Sequence, residues 1–184
     1  MSDINAKCLE VFPSWLRSLD EDVQTVIEVL EGDAVGEDAR KLLTGGINYL
    51  FKSLDLIPDG IDDIGYLDDA FVLRLSAKAA LESDIGAVDP DSMAKLGKMN
   101  GDTDLIAELL GADLFDRLEK YTRDLRKGAA RGRMVDEIVE KSDVFKEFAG
   151  EVRAFVKEYE SPGFSKDEKN LIKLKAFLEA KLPK

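Results

Sequence analysis

From Ala70 to Glu82 the chain reads AFVLRLSAKAALE, with charge only at Arg74, Lys78 and Glu82. A spacing of four puts those three side chains on one narrow stripe of a helix and leaves its other sides to be covered by protein. A helix this apolar needs other helices around it, and the remaining sequence can supply them. Val23, Val26, Ile27 and Leu30 recur at helical spacing before a stop at Gly32, and Leu43, Ile47, Leu50 and Leu54 trace a second stripe. Leu114, Leu118, Tyr121 and Leu125 form a third; Val135, Ile138 and Val139 follow, then Phe145, Phe148, Val152, Phe155 and Tyr159. A capping-box pattern at Ser165 and Glu168 opens a last helix through Leu182, with Leu174 and Leu178 on its apolar side.

No strand-like alternation and no internal repeat interrupts this pattern. The expected fold is therefore all-α, a helical globule of two packed lobes with no sheet. The lobes are expected at residues 1–88 and 89–184, packed as one unit or as two. Their boundary is placed in the Gly, Pro, Asp and Asn-rich stretch from Gly86 to Asp104, where at most one short helix is expected. Gly45 and Gly46 interrupt the second stripe, each costing a helix about 1 kcal/mol relative to alanine. Close approach of a neighbouring backbone would explain the pair. They are not a phosphate loop, because no Lys-Ser or Lys-Thr follows and no strand precedes them.

Composition excludes much chemistry. With no histidine and one cysteine, Cys8, the chain can build neither a Ser-His-Asp nor a Cys-His mechanism, nor an ordinary zinc site, nor an internal disulfide. Thirty-eight acidic against 26 basic side chains leave a net charge of −12, which repels phosphate and argues against nucleic acid as a partner. The opening MSDINAKCLEVFPSWLRSL lacks a basic patch followed by an apolar run, Ser2 stands where a myristoylated chain has glycine, and the end at Lys184 carries no lipidation box. A soluble, cytoplasmic protein is the expectation.

The most informative stretch is YLFKSLDLIPDGIDDIGYLDDAFVL, Tyr49 to Leu73. It holds Asp55, Asp59, Asp62, Asp63, Asp68 and Asp69, with no basic residue between Asp55 and Asp69. Clustered carboxylates raise one another's pKa unless solvent, amide caps, the Arg74–Lys78 stripe or a hard cation relieves them. Oxygen-only ligands select magnesium, calcium or manganese, and Asp55, Asp59, Asp68 and Asp69 are the candidate metal ligands. The competing reading is structural: Asp55 and Asp59 as turn residues, Asp68 or Asp69 as a helix cap, Ile57 and Tyr66 as core anchors. An EF-hand does not fit, since Ile57 and Tyr66 would fall on two of its ligand positions.

The pattern formed by Tyr49, Leu50, Asp55, Leu56, Ile57, Pro58 and Asp59, followed by Gly65, Tyr66, Leu67, Asp68 and Asp69, resembles the YkvA-like domain. The resemblance spans about residues 38–85. The function of that bacterial family is undetermined, so the resemblance carries over no catalytic residue. Ser53 and Asp62 stand where the family usually has proline, making this connection less rigid and more acidic. Some members are more apolar and considered membrane-associated; here Asn48, Lys52, Arg74 and Lys78 break the apolar runs.

Arg117, Lys120, Arg123, Arg126, Lys127, Arg131 and Arg133 gather in one basic segment, which could meet phosphate, an anionic membrane surface or RNA. The favoured explanation is internal: cations at a helix C-terminus, a stop at Gly128, and pairing with the chain's own carboxylates, the acidic connection included. Trp15 and the C-terminal aromatics are expected in the core, with Cys8 as a small apolar side chain. With no nucleophile–base pair and no cofactor loop, the first functional expectation is a non-enzymatic interaction or regulatory module. Its partner would be an unidentified protein or a second copy of the chain. The alternative is the divalent-metal site which, if enzymatic, would assist hydrolysis of a phosphorylated or other polar substrate; a third reading is peripheral membrane association through the basic helix.

Overall fold

The computed structural model describes residues 2–184. Its helices are α1 (Asp3–Arg17), α2 (Leu19–Glu31), α3 (Glu37–Asn48), α4 (Leu67–Glu82), α5 (Pro90–Leu110), α6 (Ala112–Asp124), α7 (Val135–Glu140), α8 (Ser142–Glu158) and α9 (Glu168–Lys181). Short 3-10 turns, Tyr49–Phe51 and Leu125–Lys127, extend α3 and α6. The fold is all-α apart from one small hairpin. No helix among the described residues is long and apolar enough to cross a membrane.

The apolar helix expected at the centre is α4, and α1, α2, α3, α5 and α6 all pack against it. Its charged stripe runs from buried Arg74 to half-exposed Glu82 and is spent on ion pairs. Arg74 is 0 % exposed and donates to Asp102 of α5 (2.9 Å) and Asp22 of α2 (3.2 Å), with its guanidinium 4.2 Å from the ring centroid of Trp15. Lys78 bridges Glu82 (2.6 Å) and Glu119 of α6 (2.5 Å). The stripe is thus an ion-pair seam between helices. Around it, one hydrophobic cluster includes Phe12, Phe71, Ile106, Phe148 and Leu178, and so draws on both halves of the sequence.

The glycine pair behaves as its sequence suggested. A Cβ at Gly46 would lie 2.2 Å from the Ser76 hydroxyl on α4, and one at Gly45 would lie 2.8 Å from the backbone of Leu125. At these two positions α3 touches its neighbours backbone to helix, so no side chain fits between them.

Three expectations are corrected. The stretch expected to hold at most a short helix is the 21-residue α5. Asp89 caps it by accepting from the Ser92 amide (2.9 Å), Pro90 occupies its first turn, and Leu96, Met99, Ile106 and Leu109 are buried along it. Each buried side chain of that size contributes roughly 1.5–3 kcal/mol, which outweighs the propensity cost of Gly97 and Gly101. A two-stranded sheet exists where none was expected: β1 (Ala129–Ala130) pairs antiparallel with β2 (Arg133–Met134). Arg131 (φ 51°) and Gly132 (φ 76°) both take left-handed conformations, as a tight hairpin turn requires. Finally, Ser165 does not cap α9. Asp167 does, accepting from the Lys169 amide at 2.9 Å, while the Ser165 hydroxyl donates to Asp63 at 2.5 Å.

Candidate functional site

Tyr49 closes α3 and turns its ring inward, where the side chain is fully buried. Its hydroxyl donates to Asp68 Oδ2 (2.5 Å) and accepts from the Leu56 amide (2.7 Å). The same Asp68 oxygen accepts from the Ile57 amide (3.1 Å). Asp68, in the first turn of α4, therefore fastens the incoming loop to the helix. It is not the N-cap expected from sequence. Tyr66 holds that position without a side-chain capping bond, and Asp69 supplies none either.

Asp68 is 0 % and Asp69 3 % exposed, Asp55 is half-buried and Asp59 lies at the exposed rim. Burial pushes Asp68 up to about 7; the hydrogen bonds from Tyr49 and Ile57 oppose the rise, and the charges of Asp55 and Asp59 add to it. Asp69 is raised well above the ordinary carboxylate range by burial, then by the charges of Asp68, Asp59 and Asp55. Asp55 rises to about 6 through burial and the charge of Asp59, partly offset by Lys52. The four candidate ligands are thus close enough to feel one another's charge. Burial pushes the Tyr121 hydroxyl up to about 12, with Asp68 and Asp55 contributing. Its ring meets Tyr49 edge-on at 6.2 Å, and Lys52 lies over it at 5.6 Å.

Three carboxylate oxygens of this cluster are buried with no hydrogen-bond partner: Asp55 Oδ1, Asp68 Oδ1 and Asp69 Oδ2. Asn48 Oδ1 is a fourth orphaned oxygen, one residue before Tyr49. Leaving such a group unpaired costs about 1–3 kcal/mol, and more when it is charged. Among the described residues, no group of three or more His, Cys, Asp or Glu side chains already stands in metal-holding geometry. The oxygens share a neighbourhood rather than a single coordination point.

Residues 39–75 match the family described as protein of unknown function (DUF1232). The YkvA-like resemblance is consistent with that match. The DUF1232 segment covers about a fifth of the chain and contains the glycine contact, Tyr49 and all four candidate aspartates. No curated protein and no solved structure matches the chain.

The other two aspartates of the segment lie apart from the cluster. Asp63, at φ 69°, accepts from Ser165 (2.5 Å) and from the Asn170 amide group (3.0 Å), and these bonds hold its carboxyl below the usual range. It ties the DUF1232 segment to the start of α9. Asp62 is exposed. Sequence reasoning missed both the Asp63 tether and the Tyr49–Asp68 bond, although a tyrosine ahead of an acidic loop was the available signal for the latter.

The expected pairing of the basic segment with these aspartates does not occur among the described residues. Arg117 donates to the carbonyls of Glu179 (3.1 Å), Leu182 (2.8 Å) and Pro183 (3.0 Å) and so closes the end of α9. Arg123 bonds to Glu82, and Arg131 and Arg133 share Glu151 at 3.2 and 2.5 Å. Glu82 and Glu151 lie on α4 and α8, outside the acidic loop.

Proposed function

We propose that this protein binds a divalent cation, magnesium, calcium or manganese, through Asp55, Asp59, Asp68 and Asp69. The observation that supports this is the set of three buried, unpartnered carboxylate oxygens on Asp55, Asp68 and Asp69. Without a cation, Asp68 and Asp69 avoid the cost of a buried charge by holding protons. A hard cation offers the alternative, drawing the ionised oxygens together and giving each a partner. Asp59, at the rim, supplies the ligand through which the ion enters. The Tyr49 and Ile57 bonds hold Asp68 Oδ2, which leaves Oδ1 for the ion.

The test is a melting scan of chelator-treated protein against each cation, for the wild type, Asp55→Asn and Asp69→Asn. At a concentration one hundred times the dissociation constant, binding stabilises by about 2.7 kcal/mol, roughly 5–10 °C for a chain of this size. The expected result is such a rise in the wild type and its loss in both variants. A wild type that melts at the same temperature with all three cations and with chelator would overturn the reading.

A second reading, the interaction module, has one observation in its favour. Leu54 is 82 % exposed beside a groove of about 410 Å³ walled by Phe51, Lys52, Ala129 and Arg131.

A further inference from the structure

Two depressions in the surface share a wall. The groove beside Leu54, about 410 Å³, and a cavity of about 290 Å³ are both lined by Phe51 and Arg131. Arg131 is held in that wall, its guanidinium 4.6 Å from the Phe51 ring centroid and bonded to Glu151 at 3.2 Å. Charge changes sign across it. The groove side carries Lys52, whose ammonium lies 5.6 Å from the Tyr121 ring centroid and pairs with no carboxylate among the described residues. The cavity side carries Asp59, Glu151 and Glu158. Glu151 is bonded by Arg131 and Arg133, whereas Asp59 and Glu158 are exposed and pair with no cation among the described residues.

Shape changes in the same way. Leu54 stands exposed on the groove side, and Met134 sits in register with Ala129 of the groove wall. These are two of the three large apolar side chains left exposed among the described residues. The cavity side is instead a hollow, with Leu50, Tyr66 and Phe155 in its walls and room enough for a leucine side chain.

We infer that this face is the contact surface of a two-fold homodimer. Leu54 of each copy enters the other's cavity, and Lys52 of each lies against the other's Asp59 and Glu158. An isologous contact needs one patch that is complementary to itself. A knob and a free cation on one side of a wall, with a hollow and two free acids on the other, meet that need about an axis through the wall. A second copy covers both halves at once. An acidic peptide would fill only the groove and a small ammonium only the cavity, each leaving the other half unmatched. The inference rests on the interaction reading above and needs no metal ion.

Sedimentation velocity on the full chain in chelator, over a range of concentrations, tests this. The wild type should dimerise, and Leu54→Ser should weaken the dimer about tenfold or more, because the side chain that fills the cavity is lost. Lys52→Glu and Glu158→Lys should each weaken it about tenfold. The double variant restores opposite charges across the axis and should recover most of that loss. Such recovery separates a lost contact from a folding defect, since two defects would add. Glu158 carries the test because Asp59 also belongs to the cation reading. A wild type that stays monomeric overturns the inference and leaves the groove to a different protein. A dimer indifferent to Leu54→Ser overturns it too, as does a double variant no tighter than the two singles. The cation reading is untouched by each of these results.

Discussion

At the scale of single residues, Asp68 and Asp69 are buried acids in a chain whose other carboxylates mostly face water. Their raised pKa values fix the sign of a pH effect. Between the unfolded value near 3.9 and about 7, the folded chain binds a proton at Asp68 that the unfolded chain has released. Stability from this source is complete below the unfolded value and is lost as pH rises through the folded one; Asp55 and Asp69 act in the same direction. Acids held low, such as Glu82, Glu137 and Glu151, act oppositely but below the ordinary carboxylate range, outside this window. Chelator-treated protein should therefore melt at a higher temperature at pH 5 than at pH 8. Magnesium needs ionised ligands, so its increment should grow over the same interval. Melting curves at four pH values with and without magnesium check both trends. An apo melting temperature that climbs with pH would count against the burial assigned to these acids.

Secondary-structure elements differ in how far their residues announced them. The core role of α4 was legible because an apolar helix with charges every fourth residue has few other uses, and the glycine pair signalled contact. α5 was not legible: Gly97 and Gly101 read as a break, yet both face open space, so they cost propensity and nothing else. The hairpin escaped because two-residue strands are too short to alternate. The candidate aspartates were legible as a group, but their division into buried and rim positions was not, since it depends on Tyr49 arriving from another element. The two kinds of glycine give a matched prediction. Gly97→Ala should stabilise by about 0.5–1 kcal/mol. Gly46→Ala should destabilise by about 1–3 kcal/mol or more, because its Cβ would meet Ser76 on α4. Urea denaturation of both variants measures the two signs, and a neutral Gly46→Ala would mean that α3 and α4 pack less closely than described.

For the molecule as a whole, charge is the dominant property, and its distribution matters more than its sum of −12. Several cations are consumed internally, in the α4 seam, at the end of α9 and around Glu151. Lys52 and Arg131 flank the groove beside exposed Leu54, on a chain with an excess of acidic side chains. A second copy could offer its acidic side chains to the groove. Leu54→Ser should then weaken self-association in sedimentation experiments while changing stability by no more than about 0.5 kcal/mol, as for exposed sites generally. A wild type that stays monomeric at high concentration would remove the second copy as the occupant.

The position of Trp15 has an optical consequence. It is the single tryptophan, 2 % exposed, with Arg74 over its face and Phe71 edge-on at 6.0 Å. Its fluorescence therefore comes from the centre of the molecule, where α1 packs on the helix whose first turn carries Asp68 and Asp69. Emission should be blue-shifted in the native state and move to the red when α4 leaves its neighbours. The chain thus carries its own unlabelled probe of whether the helix beneath the acidic loop is seated.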